Sequence, residues 1–213
     1  MTDHQFPTLT IIQHPLIQTK LTTLRDVKTD NYLFRSLLNQ IASLMVYEVF
    51  RNTETVEIEV STPLEATAGY KLRKEITLVP ILRAGLGMVS GIQQLIPRAR
   101  VGHIGLYRDK NTLEPVEYYT KFPPNIAQTK VILIDPMLAT GGSASAALTF
   151  IKKRNVTDIS FVCLVAAPEG VERIIADHPE VPIFTAALDR ELNDHAYILP
   201  GLGDAGDRIY GTE

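Results

Sequence analysis

The sequence has one cysteine, no long apolar run and no excess of positive charge, and each shortage argues against a class of protein. Because Cys163 is the only cysteine, no disulfide can form within the chain. No stretch approaches the roughly 18 apolar residues of a membrane-spanning helix, and the N-terminal residues show no signal-peptide core. With 21 Lys and Arg against 24 Asp and Glu, the net charge of -3 offers no general attraction for nucleic acid or anionic lipid. We therefore expect a cytoplasmic protein with no nucleic-acid or membrane partner.

The apolar pattern predicts an α/β fold in a single domain spanning residues 1–213. Apolar residues recur at three- and four-residue steps from about Asp30 to Phe50, which predicts a helix, and alternation over 56–60 predicts a half-exposed strand. Short apolar runs typical of parallel strands buried on both faces lie at 76–82, 131–134, 161–166 and 183–187. Helical segments between them lie at 86–95, 143–153 and 170–177. This β-α-β order predicts a central, mostly parallel sheet flanked by helices.

One segment departs from that order. Between residues 101 and 122, the apolar stretches 104–107 and 116–119 flank a polar stretch at 108–111. Strands separated by a short polar segment are typical of a hairpin, so we expect a β-hairpin arm projecting from the sheet here.

Glycine-rich residues follow the buried run at 131–134. In an open parallel sheet, ligands bind outside the carboxyl ends of the strands. An acid, Asp135, comes first, and the loop then ends in Thr-Gly-Gly-Ser at 140–143. Glycines let backbone amides approach a phosphate, and a helix start attracts anions, while a carboxylate suits ribose hydroxyls. The alternative is a plain strand-to-helix turn; a P-loop NTPase is disfavoured because Gly-x-x-x-x-Gly-Lys-Ser/Thr is absent here.

A second glycine-rich segment follows the run at 76–82. Arg83 comes first, and Ala-Gly-Leu-Gly occupies 84–87. A guanidinium fork beside open backbone amides suits a diphosphate, whereas a structural salt bridge is the alternative role of Arg83.

Residues 132–143 resemble the phosphoribosyl-pyrophosphate (PRPP) signature of the type I phosphoribosyltransferase family, and the Asp-Pro-Met-Leu-Ala-Thr-Gly-Gly-Ser form is similar to the uracil branch of that family. Further segments resemble the same branch in the same order: Pro-Ile-Leu-Arg-Ala-Gly-Leu-Gly at 80–87, Leu-Tyr-Arg at 106–108, Leu-Val-Ala-Ala-Pro-Glu-Gly at 164–170 and Tyr-Ile-Leu-Pro-Gly-Leu-Gly-Asp-Ala-Gly-Asp at 197–207. The superfamily's usual pair of adjacent acids is here Asp135-Pro136, which leaves one carboxylate for the ribose; the uracil branch shares this departure. The resemblance covers nearly the whole chain.

The resemblance implies transfer of the 5-phosphoribosyl group from PRPP to N1 of uracil, giving UMP and diphosphate in pyrimidine salvage. It implies that Asp204, Arg83 and Asp135 are catalytic and that Mg²⁺ arrives with PRPP, without a protein metal site. The residues implied to bind PRPP are Arg83, Arg108, Asp135, Pro136, Met137, Leu138, Ala139, Thr140, Gly141, Gly142, Ser143 and Asp204. Those implied to bind uracil, in a C-terminal segment at about 188–213, are Ile198, Gly203, Asp204 and Ala205.

The C-terminal segment also carries a false motif. Residues 201–206 match the pattern Gly-x-Gly-x-x-Gly, but too few residues follow for the βαβ unit that a dinucleotide-binding motif requires. A glycine-rich loop instead exposes its own peptide groups, which suit the acceptors and donor on the edge of uracil. Cytosine presents a different pattern, so buried partners would go unpaired and it would be rejected.

Members of the family are homo-oligomers and some are activated by GTP. The resemblance therefore implies a homodimer or homotetramer, with the hairpin at 101–122 as a candidate dimer arm, and GTP as an allosteric activator.

Two other functions stay open. A regulatory protein on the same scaffold would bind RNA, but RNA binding calls for a basic face, and no basic run exceeds the three residues at 152–154, which we interpret as cations at a helix end. A phosphoribosyltransferase for adenine or orotate would differ in the C-terminal segment, where orotate's carboxylate would favour an additional cation and Arg208 alone is close in sequence.

Overall fold

The computed structural model describes residues 6–108 and 115–212, without the side chains of Arg108 and Pro115. The predicted helix at 30–50 is confirmed, and the side chain of Asp30 caps it by accepting from the backbone N–H of Leu33 at 2.8 Å. The helices are α1 (Pro15–Arg25), α2 (Asn31–Val49), α3 (Leu86–Leu95), α4 (Gly142–Lys152), α5 (Pro168–Asp177) and α6 (Ala205–Tyr210), with a 3₁₀ turn at Ile126–Gln128.

The main sheet confirms the predicted α/β class. The strands of the chain are β1 (Leu9–Ile11), β2 (Thr55–Ser61), β3 (Ala66–Leu72), β4 (Ile76–Leu82), β5 (Arg100–Val101), β6 (His103–Arg108), β7 (Pro115–Lys121), β8 (Lys130–Ile134), β9 (Met137–Leu138), β10 (Ile159–Ala166), β11 (Ile183–Leu188), β12 (Glu191–Leu192) and β13 (Ile198–Leu199). The strand order in the main sheet is β1-β11-β10-β8-β4-β6-β7, and every neighbouring pair on this path is parallel except β6 with β7.

The central strands read as unbroken apolar runs because both faces of the sheet are covered. One hydrophobic cluster packs α1, α2, α3 and α6 against strand residues such as Leu78 and Ile132. The other packs α4 and α5 against the alternate residues, such as Val79 and Leu133. Cys163 lies buried in β10, as an apolar residue would, and burial raises the pKa of its thiol to about 12.

The segment at 101–122 contains an antiparallel pair, β6 with β7. In their described part these strands extend the edge of the main sheet, since β6 also pairs with β4. Residues 109–114, the centre of the predicted arm, lie outside the described residues. None of the helices that the structure describes is both long and apolar enough to span a membrane.

One strand lies outside the main sheet, and one expectation from the pattern needs correction. The half-exposed strand predicted at 56–60 is confirmed as β2, which pairs with β3 in a separate two-stranded hairpin; β3 itself is not predicted, because Ala66–Leu72 lacks apolar alternation. Residues 201–206 are not all loop, because α6 begins at Ala205. Its start is set by Asp204, whose carboxylate accepts from the backbone N–H of Asp207 at 3.0 Å.

Candidate functional site

Three loops meet at the carboxyl edge of the sheet: the β4 loop (residues 83–85), the β8 loop (residues 135–141) and the C-terminal loop (residues 199–204). The β4 and β8 loops leave the sheet side by side, so closely that a Cβ on Gly85 would lie 2.5 Å from the carbonyl oxygen of Ile134. On the other side, Nη2 of Arg83 lies 3.6 Å from Oδ1 of Asp207, just beyond the C-terminal loop. The structure thus brings together three segments that are far apart in sequence.

Backbone hydrogen bonds hold the β8 loop against strand β10 and the start of α5. The carbonyl of Pro136 accepts from the N–H groups of Leu164 and Val165, at 2.9 and 3.1 Å, and that of Leu138 accepts from Ala167 at 2.9 Å. Gly170 completes this packing, because a Cβ there would lie 2.4 Å from the carbonyl oxygen of Ala139. The loop is therefore held by main-chain contacts that any side chain at position 170 would disturb.

Gly141 and Gly142 stand at the start of α4 for different reasons. Gly141 has a φ of +76°, and a Cβ on it would lie 2.9 Å from both the carbonyl oxygen of Gly170 and the Cβ of Arg173. A Cβ on Gly142 would instead meet only the Thr140 hydroxyl, at 3.7 Å. No side-chain hydrogen bond caps α4 in the described part of the chain, so its first N–H groups lack a capping partner, which is an arrangement suited to an anion. The fold requires glycine at 141, whereas the space beside 142 is free for a ligand.

Asp135 is a half-buried carboxyl group at the end of β8. Burial raises its pKa to about 7; the hydrogen bond from the N–H of Met137, at 3.3 Å, opposes that rise, and the charge of nearby Asp204 adds to it. Among the side chains that the structure describes, which exclude that of Arg108, neither Asp135 nor Asp204 forms an ion pair. Two carboxyl groups without an ion-pair partner thus lie close enough for the charge of one to change the pKa of the other. Their oxygens can accept hydrogen bonds from the hydroxyl groups of a ligand.

Helix α6 holds Arg83, which is 59% exposed. Its guanidinium lies 5.7 Å from the centre of the Tyr210 ring, and the Tyr210 hydroxyl donates to the Arg83 carbonyl oxygen at 3.1 Å. The Asp207 contact, at 3.6 Å, is a loose and exposed ion pair, so the salt bridge considered as the alternative role of Arg83 leaves the guanidinium free to bind an anion. Sequence reasoning assigned no role to Asp207 or Tyr210, since no local pattern shows that α6 packs beside Arg83.

The C-terminal loop combines two glycines in the left-handed region, Gly201 at φ +62° and Gly203 at φ +79°, with a cis peptide bond between Leu199 and Pro200. Gly203 and Asp204 are exposed, whereas the side chains of the other two residues implied to contact a base, Ile198 and Ala205, are buried. The loop therefore offers mainly backbone groups to a ligand. Arg108 ends β6, but its side chain lies outside what the structure describes.

The carboxyl groups at this edge of the sheet suit a hydrated metal ion that arrives with a ligand. Within the described ranges, no group of three or more His, Cys, Asp or Glu side chains is placed to hold a metal ion. Asp135 and Asp204 provide carboxylate oxygens, which are the ligands that Mg²⁺ and its bound waters prefer.

Comparisons with known proteins agree with this geometry. The sequence profile of a family described as uracil phosphoribosyltransferase matches residues 11–212. Uracil phosphoribosyltransferases of Dictyoglomus turgidum and Acholeplasma laidlawii are 56% and 54% identical over 204 and 205 residues, covering 95% and 96% of this chain and 99% of each relative.

Solved structures show the same relationship. A protein of Aquifex aeolicus superposes with a TM-score of 0.91 at 40% identity, covering 96% of this chain and 99% of its own. An adenine phosphoribosyltransferase of Trypanosoma brucei has a TM-score of 0.57 at 12% identity, covering 89% and 87%, and shows a shared fold alone.

Proposed function

Because the chain belongs to the uracil phosphoribosyltransferase family, we propose that the carboxyl edge of its sheet transfers the 5-phosphoribosyl group of PRPP to N1 of uracil. The products are UMP and diphosphate, and the reaction serves pyrimidine salvage. The observation that carries the proposal is that the three loops lie together. Arg83 contacts α6, the helix that Asp204 caps, and the charge of Asp204 raises the pKa of Asp135.

The β8 loop and the start of α4 would hold the ribose 5-phosphate. The N–H groups at Gly141 and Gly142 would face the phosphate, and the hydroxyls of Thr140 and Ser143 would donate to it. The carboxylate of Asp135 would accept from the ribose hydroxyls. The positions between, Pro136, Met137, Leu138 and Ala139, would shape the loop that joins the two subsites.

Arg83 and Arg108 would hold the diphosphate. Guanidinium groups bind phosphate oxygens in pairs and stabilise charge that develops on a leaving group. Mg²⁺ bound with PRPP would neutralise further charge on the diphosphate, with Asp135 and Asp204 near its waters.

The C-terminal loop would recognise uracil through peptide groups near Ile198, Gly203, Asp204 and Ala205. Backbone donors and acceptors would form hydrogen bonds with the edge of uracil. With cytosine, some of these buried backbone groups would have no hydrogen-bond partner. Arg208 does not supply the extra cation that orotate would need, because its terminal nitrogens donate to carbonyl oxygens of Leu202, at 2.8 Å, and Asp26, at 2.7 Å.

The chemistry asks the protein for alignment and charge stabilisation. The bond from ribose C1 to diphosphate breaks, the bond to N1 of uracil forms, and the N1 proton leaves. The family's reaction passes through a ribosyl cation, so holding the base in line with C1 and stabilising the departing diphosphate lower the barrier. The chain needs no protein nucleophile.

We propose that the protein works in the cytoplasm as a homodimer or homotetramer, with GTP as an activator. Support for a self-association surface comes from the β6–β7 hairpin, which exposes Tyr107, Tyr118 and Tyr119 by about half of their surface: 50%, 56% and 46%. Exposed aromatic side chains are enriched at protein interfaces. Sedimentation tests the oligomeric state, and initial rates with and without GTP test the activation.

The test of the activity is diphosphate release from PRPP and Mg²⁺ with uracil, cytosine, orotate or adenine offered separately, with and without GTP. We expect turnover with uracil alone. Turnover with another base would replace the substrate, and PRPP binding without turnover on any base would favour the regulatory alternative and a test of RNA binding.

A further inference from the structure

Arg25, the last residue of α1, contacts the C-terminal loop although 176 residues separate it from Gly201. Its Nη1 donates to the carbonyl oxygen of Gly201 at 2.7 Å and to Oδ2 of Asp189 at 2.7 Å. Its Nη2 donates to Oδ1 of Asp189 at 2.6 Å. One guanidinium therefore binds a carboxylate in the bidentate manner and the main chain of the loop at once.

Asp189 binds the other polar group of the same residue, the N–H of Gly201. Its Oδ2 accepts from the N–H of Gly201 at 3.0 Å, and its own N–H donates to the carbonyl of Ala166, the last residue of β10, at 2.8 Å. Both polar groups of Gly201 are thus fixed, at a residue with φ +62° where a Cβ would lie 2.1 Å from the carbonyl oxygen of Ile198. The pair ties the loop to the end of a central strand.

The ion pair is far less exposed than a typical surface pair. The side chain of Asp189 is 5% exposed and that of Arg25 is 21% exposed. A bidentate pair of the same chemistry, Arg51 with Glu48, is 60% and 30% exposed and joins the last turn of α2 to a residue just beyond it. A buried pair holds a fixed geometry, whereas an exposed one contributes little.

We propose that Arg25 and Asp189 are positioning residues for uracil recognition. The inference rests on the proposed function, in which peptide groups near Ile198 and two to four residues beyond Gly201 bind the base. A loop that binds through its own peptide groups discriminates well only when those groups are held in place before the ligand arrives. Neither side chain touches substrate in this proposal; both act through Gly201.

The experiment compares Arg25→Met, the double variant Arg25→Met with Asp189→Leu, and the control Arg51→Met. The single variant leaves a buried carboxylate unpaired, so it should lower the melting temperature; the double variant removes both charges and should recover much of that stability. In both, we expect the KM for uracil to rise about tenfold or more while the KM for PRPP stays within about twofold. The control should match the wild type.

The outcomes separate the inference from the function on which it rests. A wild-type protein that makes no UMP from uracil defeats the proposed function. If the wild type is active, the inference is overturned by an unchanged KM for uracil, by an equal rise in the KM for PRPP, or by a KM for uracil that recovers with stability in the double variant. Failure of both variants to fold would likewise overturn it, since the pair would then be structural.

Discussion

The β8 loop and the C-terminal loop lie at the same edge of the sheet but are held in different ways. Main-chain hydrogen bonds from β10 and close approach at Gly170 hold the β8 loop. Charged side chains hold the C-terminal loop, with Arg25 on Gly201 and Arg208 on Leu202. Glycines mark both loops in the sequence, but the charged side chains that hold the C-terminal loop become its partners only when the chain folds.

Arg83 lies between the two loops, and its loss should have the largest effect on activity. We expect Arg83→Ala to lower kcat/KM by about 10³, because removing one preorganised charge donor costs that much elsewhere. The fold should persist, since the side chain is 59% exposed. Steady-state kinetics beside circular dichroism checks this, with Arg190→Ala, another exposed arginine paired with a neighbouring acid, as the control. A folded variant with near wild-type kinetics would contradict the assignment.

The main-chain packing of the β8 loop can be broken at Gly170. In Gly170→Ala, the new methyl would meet the carbonyl oxygen of Ala139 at 2.4 Å, so the loop must shift. We expect a loss of about 1–3 kcal/mol in the free energy of unfolding and a fall of about 10² in kcat/KM for PRPP. Chemical denaturation and initial rates measure the two effects.

Gly142→Ala is the matched control for the same loop. A Cβ there would meet only the Thr140 hydroxyl, at an ordinary contact distance of 3.7 Å, so stability should be unchanged, but a bound phosphate would lose close access to the backbone. We expect a higher KM for PRPP with an unaltered melting temperature. An unchanged KM would remove Gly142 from the phosphate site.

Asp135 gives the edge a pH dependence. The unfolded carboxyl group titrates near 3.8 and the folded one at about 7, so the folded state keeps its proton between these values. The free energy of unfolding should therefore fall by a few kcal/mol at most as the pH rises from about 4 to 7. Asp135→Asn should abolish this dependence of stability on pH.

The same group should shape activity. Acceptance from ribose hydroxyls needs the carboxylate, so kcat/KM for PRPP should fall as pH drops below about 7, and Asp135→Asn should be about tenfold less active at pH 8 without that fall. Asp204→Asn should shift the stability slope toward lower pH, because the charge of Asp204 raises the pKa of Asp135. If the dependence of the unfolding free energy on pH is the same in Asp204→Asn as in the wild type, the two loops are electrostatically independent.

The smallest effect is expected at Tyr210, which joins α6 to the β4 loop. Tyr210→Phe loses the hydrogen bond to the Arg83 carbonyl but keeps the ring beside its guanidinium. We expect kcat/KM to fall by about two- to fivefold. Tyr47→Phe, where Arg51 lies 6.0 Å from another exposed ring, should show no change; equal effects in both would argue against a role for α6 in placing Arg83.

Several elements could be predicted from local pattern because their burial follows a simple rule. Strands such as β10 are buried on both faces and appear as unbroken apolar runs, whereas α2 is buried on one face and shows a regular apolar stripe. The start of α6 was missed because a six-residue helix lacks enough turns for periodicity, and β3 was missed because its exposed side chains follow no alternation. The roles implied for Asp135, Arg83 and Asp204 stay predictions.

The sequence by itself determined the α/β class, the glycine-bearing loop after β8 and the membership of the family, because all three follow from residue patterns along the chain. Tertiary structure alone decided that Arg25 and Asp189 hold Gly201, that Tyr210 lies beside Arg83, and that Asp135 senses Asp204. The physical reason is distance along the chain: hydrogen-bond geometry and the mutual effect of two charges depend on separations in space, which a linear pattern does not record.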